Sequence, residues 1–102
     1  MAVSEDQFRD AAEEALEDLD GALARAGIDS DLEGGVLRIS FDDGAKFVVS
    51  PNAPARQIWV SARLSSFKFD LTPRGFELGG EALRAVMQRL VREQLGDEAV
   101  DL

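Results

Sequence analysis

The sequence contains no cysteine and no histidine. The first absence excludes disulfides, thiolate metal sites and a thiol nucleophile. The second removes the commonest general base and the usual transition-metal ligand, so neither a Ser-His-Asp nor a Cys-His catalytic arrangement can be built. No apolar run approaches the ~20 residues that a membrane-crossing helix needs. The opening residues, Met1 to Phe8, have neither the basic-then-apolar order of a secretory signal nor the arginine-rich character of a transit peptide, which makes the cytoplasm the expected location. No glycine-rich loop joins a strand to a helix in the phosphate-binding pattern; Gly34-Gly35 and Gly79-Gly80 read as turns. No D-x-[DN]-x-[DN]-G segment is present, which excludes an EF-hand.

Basic residues are also few, with 11 Lys and Arg against 20 Asp and Glu for a net charge of −9. That balance argues against nucleic acid, whose phosphates call for clustered cations. The imbalance is local. Residues 1–43 hold 13 acids against 3 bases, and residues 44–102 hold 7 against 8.

What is present suits one domain over residues 1–102, with 45% hydrophobic residues and six phenylalanines to supply a core. Residues 4–26 carry the periodicity of an amphipathic helix. Ser4 is a good N-cap, Glu5 and Asp6 suit the positive end of the helix dipole, and Gly27 is a plausible stop. Phe8, Ala12, Ala15, Leu16, Leu19, Leu23 and Ala26 form the apolar stripe. After a linker containing Asp29, Asp31 and Gly34-Gly35 the period changes to two. Strands are expected at 37–41, 46–50, 57–62, 66–71 and 76–78, with turns at Asp42-Asp43-Gly44, at Pro51-Asn52 with Pro54, and at Thr72 to Gly75. A second helix is expected over about 81–95, with Leu83, Val86, Met87, Leu90, Val91 and Leu95 inward and Gly96 as its cap. The implied fold class is α+β: a two-layer α-β-α sandwich, its N- and C-terminal helices packed on one face of an antiparallel sheet of about five to six strands.

Two features carry functional meaning. At 100° per residue Asp6, Asp10, Glu13, Glu17 and Asp20 fall within about 80° of one another, opposite the apolar stripe, with Glu14 and Asp18 on the flank. An ordinary solvated face mixes signs, whereas this one has only Arg9 and Arg25 among its acids. Like charges four residues apart also work against the helix by a few tenths of a kcal/mol per pair. An all-carboxylate face selects hard cations, and from one helix it holds them openly and weakly. The second feature is Trp59. Ile58 and Val60 of its strand alternate into the core, which turns Trp59 with Gln57 and Ser61 to the opposite face. Tryptophan there serves either cross-strand packing or a partner interface.

Three segments, together with the acidic first helix and a terminal helix of the right length, resemble the frataxin family, bacterial (CyaY-type) branch. Gly34-Gly35-Val36-Leu37-Arg38-Ile39-Ser40-Phe41-Asp42-Asp43-Gly44 resembles the family's G-G-V-L-T-I-x-F-x-x-G stretch. Pro54-Ala55-Arg56-Gln57-Ile58-Trp59-Val60-Ser61 is similar to its P-x-x-Q-I-W-L-S signature, and Phe67-Lys68-Phe69-Asp70-Leu71 to an aromatic-x-F-D strand. The likeness spans about residues 4–96. It departs at Ser50, where the family usually has Asn, and at Ala62-Arg63-Leu64-Ser65, which replaces a Ser/Gly/Pro-rich turn. A later family Trp is missing, with Phe76 nearest, and Ala22 to Ala26 is less acidic than the family's first helix at that point.

The resemblance implies a non-enzymatic iron-binding accessory protein, an iron chaperone of iron-sulfur cluster assembly. It would hold iron (Fe2+/Fe3+) weakly as cargo on an acidic ridge of Glu13, Glu14, Glu17, Asp18, Asp20, Asp29, Asp31 and Asp42. Its partners would be a cysteine desulfurase and an iron-sulfur scaffold protein, met through Gln57, Trp59 and Ser61, with no nucleic acid, no membrane, and a monomeric state. The alternative class is a small acidic secretion chaperone that binds an effector protein and is usually dimeric. A ferroxidase is a third reading, set against by the missing histidines of a Glu-x-x-His di-iron pattern.

Overall fold

The computed structural model describes residues 3–102. Met1 and Ala2, part of the opening stretch considered above, lie outside them. Helix α1 runs Glu5–Arg25. Ser4 caps it in a reciprocal box: its Oγ accepts from the Gln7 amide at 3.1 Å, and its own amide donates to Gln7 Oε1 at 3.0 Å. The chain leaves the helix through Ala26 and Gly27, the latter left-handed at φ 76°. The buried stripe is Phe8, Ala12, Leu16, Leu19, Ala22 and Leu23, while Ala15 and Ala26 pack at its margins.

Seven strands follow as an antiparallel meander in chain order: β1 Ser30–Glu33, β2 Val36–Ser40, β3 Lys46–Asn52, β4 Gln57–Ala62, β5 Ser65–Thr72, β6 Gly75–Leu78 and β7 Glu81–Ala82. Helix α2, Leu83–Leu95, closes the layer. The five strands expected from the sequence are there, and two more lie where a linker and a helix start were expected. β1 alternates correctly, but it offers Leu32 as its one apolar residue, too little to stand out. What makes it a strand is the Gly34-Gly35 turn, whose left-handed φ angles of 61° and 79° fold it back onto β2. Gly79-Gly80, at 58° and 84°, does the same for β7, so α2 begins at Leu83 rather than 81. β3 runs through Pro51, opposite Ile58, to Asn52, where a turn was expected; a proline near a strand end costs little ladder.

Alternation along the strands builds the core. Leu37 pairs with Val49, Val49 with Val60, and Ile58 with Phe69, all fully buried on the face that α1 and α2 cover. Phe8 of α1 meets Phe76 of β6 edge-to-face at 5.9 Å between centroids, which ties the helix layer to the sheet. From α2, Leu83, Val86, Met87 and Val91 are buried. Leu95 is 44% exposed instead of inward, because it is the last helical residue before Gly96 turns the chain at φ 64°. The tail then folds back: Arg92 Nε donates to the Val100 carbonyl at 2.7 Å, and Val100 and Leu102 rest against the core. Among the described residues no polar or charged residue is buried, and no helix is long and apolar enough to cross a membrane.

Candidate functional site

The acidic face of α1 is presented as its periodicity requires. Glu13, Glu14, Glu17 and Asp18 are exposed, on the side away from Ala12, Leu16 and Leu19. Arg9 is drawn to Asp6, Nη2 to Oδ1 at 2.9 Å, so the one cation of the N-terminal half is already engaged. Asp20 departs from the set. Half-buried, it accepts a 2.5 Å hydrogen bond from Ser30 Oγ at the start of β1, fastening the C-terminal half of α1 to the sheet edge.

The remaining carboxylates expected on the ridge are spread out. Asp29 precedes β1, and its carbonyl accepts from the Ser40 amide at 3.0 Å. Asp31 pairs with Arg38, and alternation with the inward Leu32 turns it to the sheet face that carries no helix. Asp42 stands exposed in the β2–β3 turn. Among the described residues no three His, Cys, Asp or Glu side chains converge closely enough to hold a metal ion. The donor set is therefore carboxylate oxygens on an open surface. Such donors suit a hard cation held one or two at a time with water completing its shell, and not an enclosed centre.

On the helix-free sheet face the register builds a second constellation. Gln57, Trp59 and Ser61 of β4 stand opposite Asp70, Lys68 and Ser66 of β5. Trp59 is 38% exposed. Its Nε1 donates to Gln57 Oε1 at 3.0 Å, and Gln57 Nε2 donates to Asp70 Oδ1 at 2.9 Å. The Lys68 ammonium lies 4.7 Å from the ring centroid, a cation–π contact. The indole is thus fixed in orientation on the sheet face that carries no helix. Lys68 and Asp70 join the set only through the register with β5. The alternation of Phe67 and Phe69 into the core was the clue that places them beside Trp59.

Perturbed ionisation is found in surface pairs. The Glu77 carboxyl is held below its ordinary range by the hydrogen bond from Arg74, partly offset by desolvation. The guanidiniums of Arg74 and Arg89 are raised by Glu77 and Glu81 respectively. Arg74–Glu77 braces the β5–β6 turn, with Glu77 directly opposite Asp70 in the ladder, and Arg89–Glu81 ties α2 to β7.

The fold is a two-layer α+β sandwich, an antiparallel sheet between an N-terminal and a C-terminal helix that share one face. A family model described as a frataxin-like domain matches residues 1–97. The chain belongs to the frataxin family. It is 36% identical over 107 residues to the iron-sulfur cluster assembly protein CyaY of Pseudomonas putida (strain W619), covering 96% of this chain and 94% of the relative. It is 34% identical over 108 residues to the protein of that name from Stutzerimonas stutzeri, covering 99% and 96%. Among solved structures, frataxin from Psychromonas ingrahamii superposes with a TM-score of 0.84 at 15% identity, over 93% of this chain and 94% of that one.

Proposed function

We propose that this chain, acting as a single domain over residues 1–102, is a non-enzymatic accessory protein of iron-sulfur cluster assembly in the cytoplasm. It carries iron weakly on α1 and engages the enzymes that build the cluster. The observation that carries this reading is the predominantly acidic face of α1 in a chain of the frataxin family, whose relatives bear the name of iron-sulfur cluster assembly proteins. Glu13, Glu14, Glu17 and Asp18 are the primary cation ligands, with Asp20, Asp29, Asp31 and Asp42 as outlying carboxylates. The same field speeds encounter with a basic partner and weakens in salt.

Gln57, Trp59 and Ser61 form the second contact, to a cysteine desulfurase–scaffold complex. Exposed, orientation-fixed tryptophan is a favoured interface anchor because its area is buried with little entropic loss. The free protein is a monomer. Co-purification with a tagged desulfurase and scaffold tests the reading, and retention of wild type with loss of both Glu13→Gln/Glu17→Gln and Trp59→Ala is expected. No retention of wild type at low salt would overturn it.

A further inference from the structure

Beside the acidic face, a groove of about 510 Å3 lies between the N-terminal half of α1 and the end of the sheet formed by the β1–β2 turn and the close of β3. Its floor and walls are apolar: Phe8, Ala12 and Leu16 on the helix side, Leu32 and Ala53 on the sheet side. Its helix rim is Glu5, Glu13 and Glu17, with Arg9 among them bound to Asp6. The rim is thus anionic and the interior apolar, within one side chain's reach of each other. That combination fits one kind of occupant: an apolar side chain flanked by Lys or Arg.

A second copy of this chain has such a feature. Arg63 and Leu64 form the β4–β5 turn, and Leu64 is 105% exposed. Two copies each of net charge −9 repel, however, which disfavours this occupant. We infer that the groove receives an apolar anchor from a cationic segment of a partner protein, so that Glu13 and Glu17 hold the segment's basic residues while the groove takes its leucine-like side chain. The inference rests on the reading of α1 as a docking face and adds what the partner must carry.

The test uses the full chain and two capped pentapeptides, one with leucine between two pairs of arginines and its twin with serine at the centre. Amide NMR titration follows both at low salt. The leucine peptide is expected to bind about five-fold tighter, the gain from partly burying one aliphatic side chain in an open groove, with shifts centred on Phe8, Leu32 and Ala53. Ala53→Trp, which fills the groove and leaves every charge in place, should abolish the preference. Leu32→Ser serves as the second variant should the tryptophan disturb the fold. Glu13→Gln/Glu17→Gln should weaken both peptides alike.

Equal affinities in the wild type, or a preference that survives both groove variants, would overturn the anchor. In that case, loss of binding to both peptides in Glu13→Gln/Glu17→Gln would leave the docking face standing, and indifference to that variant would remove it as well. Concentration-dependent broadening at the groove in the peptide-free protein, abolished by Leu64→Ser, would also overturn the proposal by assigning the groove to a second copy.

Discussion

The indole Nε1 of Trp59 donates to Oε1 of Gln57 on the same face of β4, and that amide is in turn tied to Asp70 across the ladder. The bond satisfies the only polar atom of the side chain without burying it, and Lys68 lies against the ring. Trp59 is therefore held still at the surface, a state that contributes modestly to the monomer and costs little to bury against a partner.

Trp59→Ala is accordingly expected to stay folded. Truncating a fully buried tryptophan costs ~3–5 kcal/mol; Trp59 is 38% exposed, so about 2 kcal/mol is expected, or a melting shift of about 8–16 °C for a domain of this size. Partner affinity should fall by ~2 kcal/mol or more. Because Trp59 is the sole tryptophan, its red-shifted emission in the free protein, moving blue on complex formation, reports the same event. Unfolding of the variant, or unchanged retention by the partner, would return the residue to a packing role.

The carboxylates of α1 separate into two kinds when removed. Glu13 and Glu17 repel at i,i+4 on an exposed face, so Glu13→Gln/Glu17→Gln should raise stability by ~0.2–0.5 kcal/mol while weakening Fe2+ binding. Asp20, which a helical wheel groups with them, behaves oppositely because of Ser30. Asp20→Ala should lose ~1–2 kcal/mol, the range for a charge-assisted hydrogen bond at a half-buried site. Urea unfolding of the two variants checks both signs, and stabilisation by Asp20→Ala would mean the Ser30 contact contributes nothing.

Asp20 also shows where sequence reading stops. Helix periodicity gives the direction of a side chain about its own axis, and it placed Phe8, Leu16 and the exposed Glu13 and Glu17 correctly. It says nothing of what another element brings alongside, so the Ser30 partner stayed hidden until β1 was paired. β1 is not legible because four residues with one leucine carry too little periodicity to show that the Gly34-Gly35 turn has a strand on its near side. On the sheet, strict alternation in Gln57–Ala62 made Trp59's direction legible, whereas Lys68 required the register with β5. Leu95 looked inward on the same helical period that placed Val91, and failed only because the helix ends there.

Gly21 offers a test of helix propensity free of charge effects. It lies inside α1 in helical conformation, and a β-carbon built there meets nothing closer than the mobile Arg25 Nη1 at 3.4 Å. Gly21→Ala should therefore stabilise by ~0.5–1 kcal/mol, by narrowing the unfolded ensemble and filling no occupied space. Differential scanning calorimetry reads this as a higher melting temperature; a decrease would place a neighbour at Gly21 that the open geometry does not contain.

Arg74 and Glu77 predict a pH dependence of definite sign. Across the β5–β6 turn the guanidinium makes two bonds to the carboxylate, Nε to Oε2 at 2.8 Å and Nη2 to Oε1 at 3.0 Å. The hydrogen bond from Arg74 is the main reason the Glu77 carboxyl titrates below its ordinary range. A carboxyl lowered in the folded state adds stability that is fully present above its unfolded pKa of ~4.3 and is lost as pH falls through the lower folded value. Wild type should thus exceed Arg74→Ala in stability at neutral pH, and the gap should close in acid. The gap should also be small and shrink in salt, because the Arg74 side chain is 78% exposed. Chemical denaturation of both proteins from pH 7 to pH 3 measures it. A gap constant across that range would assign the effect of Arg74 to turn geometry and remove the ion pair from the account.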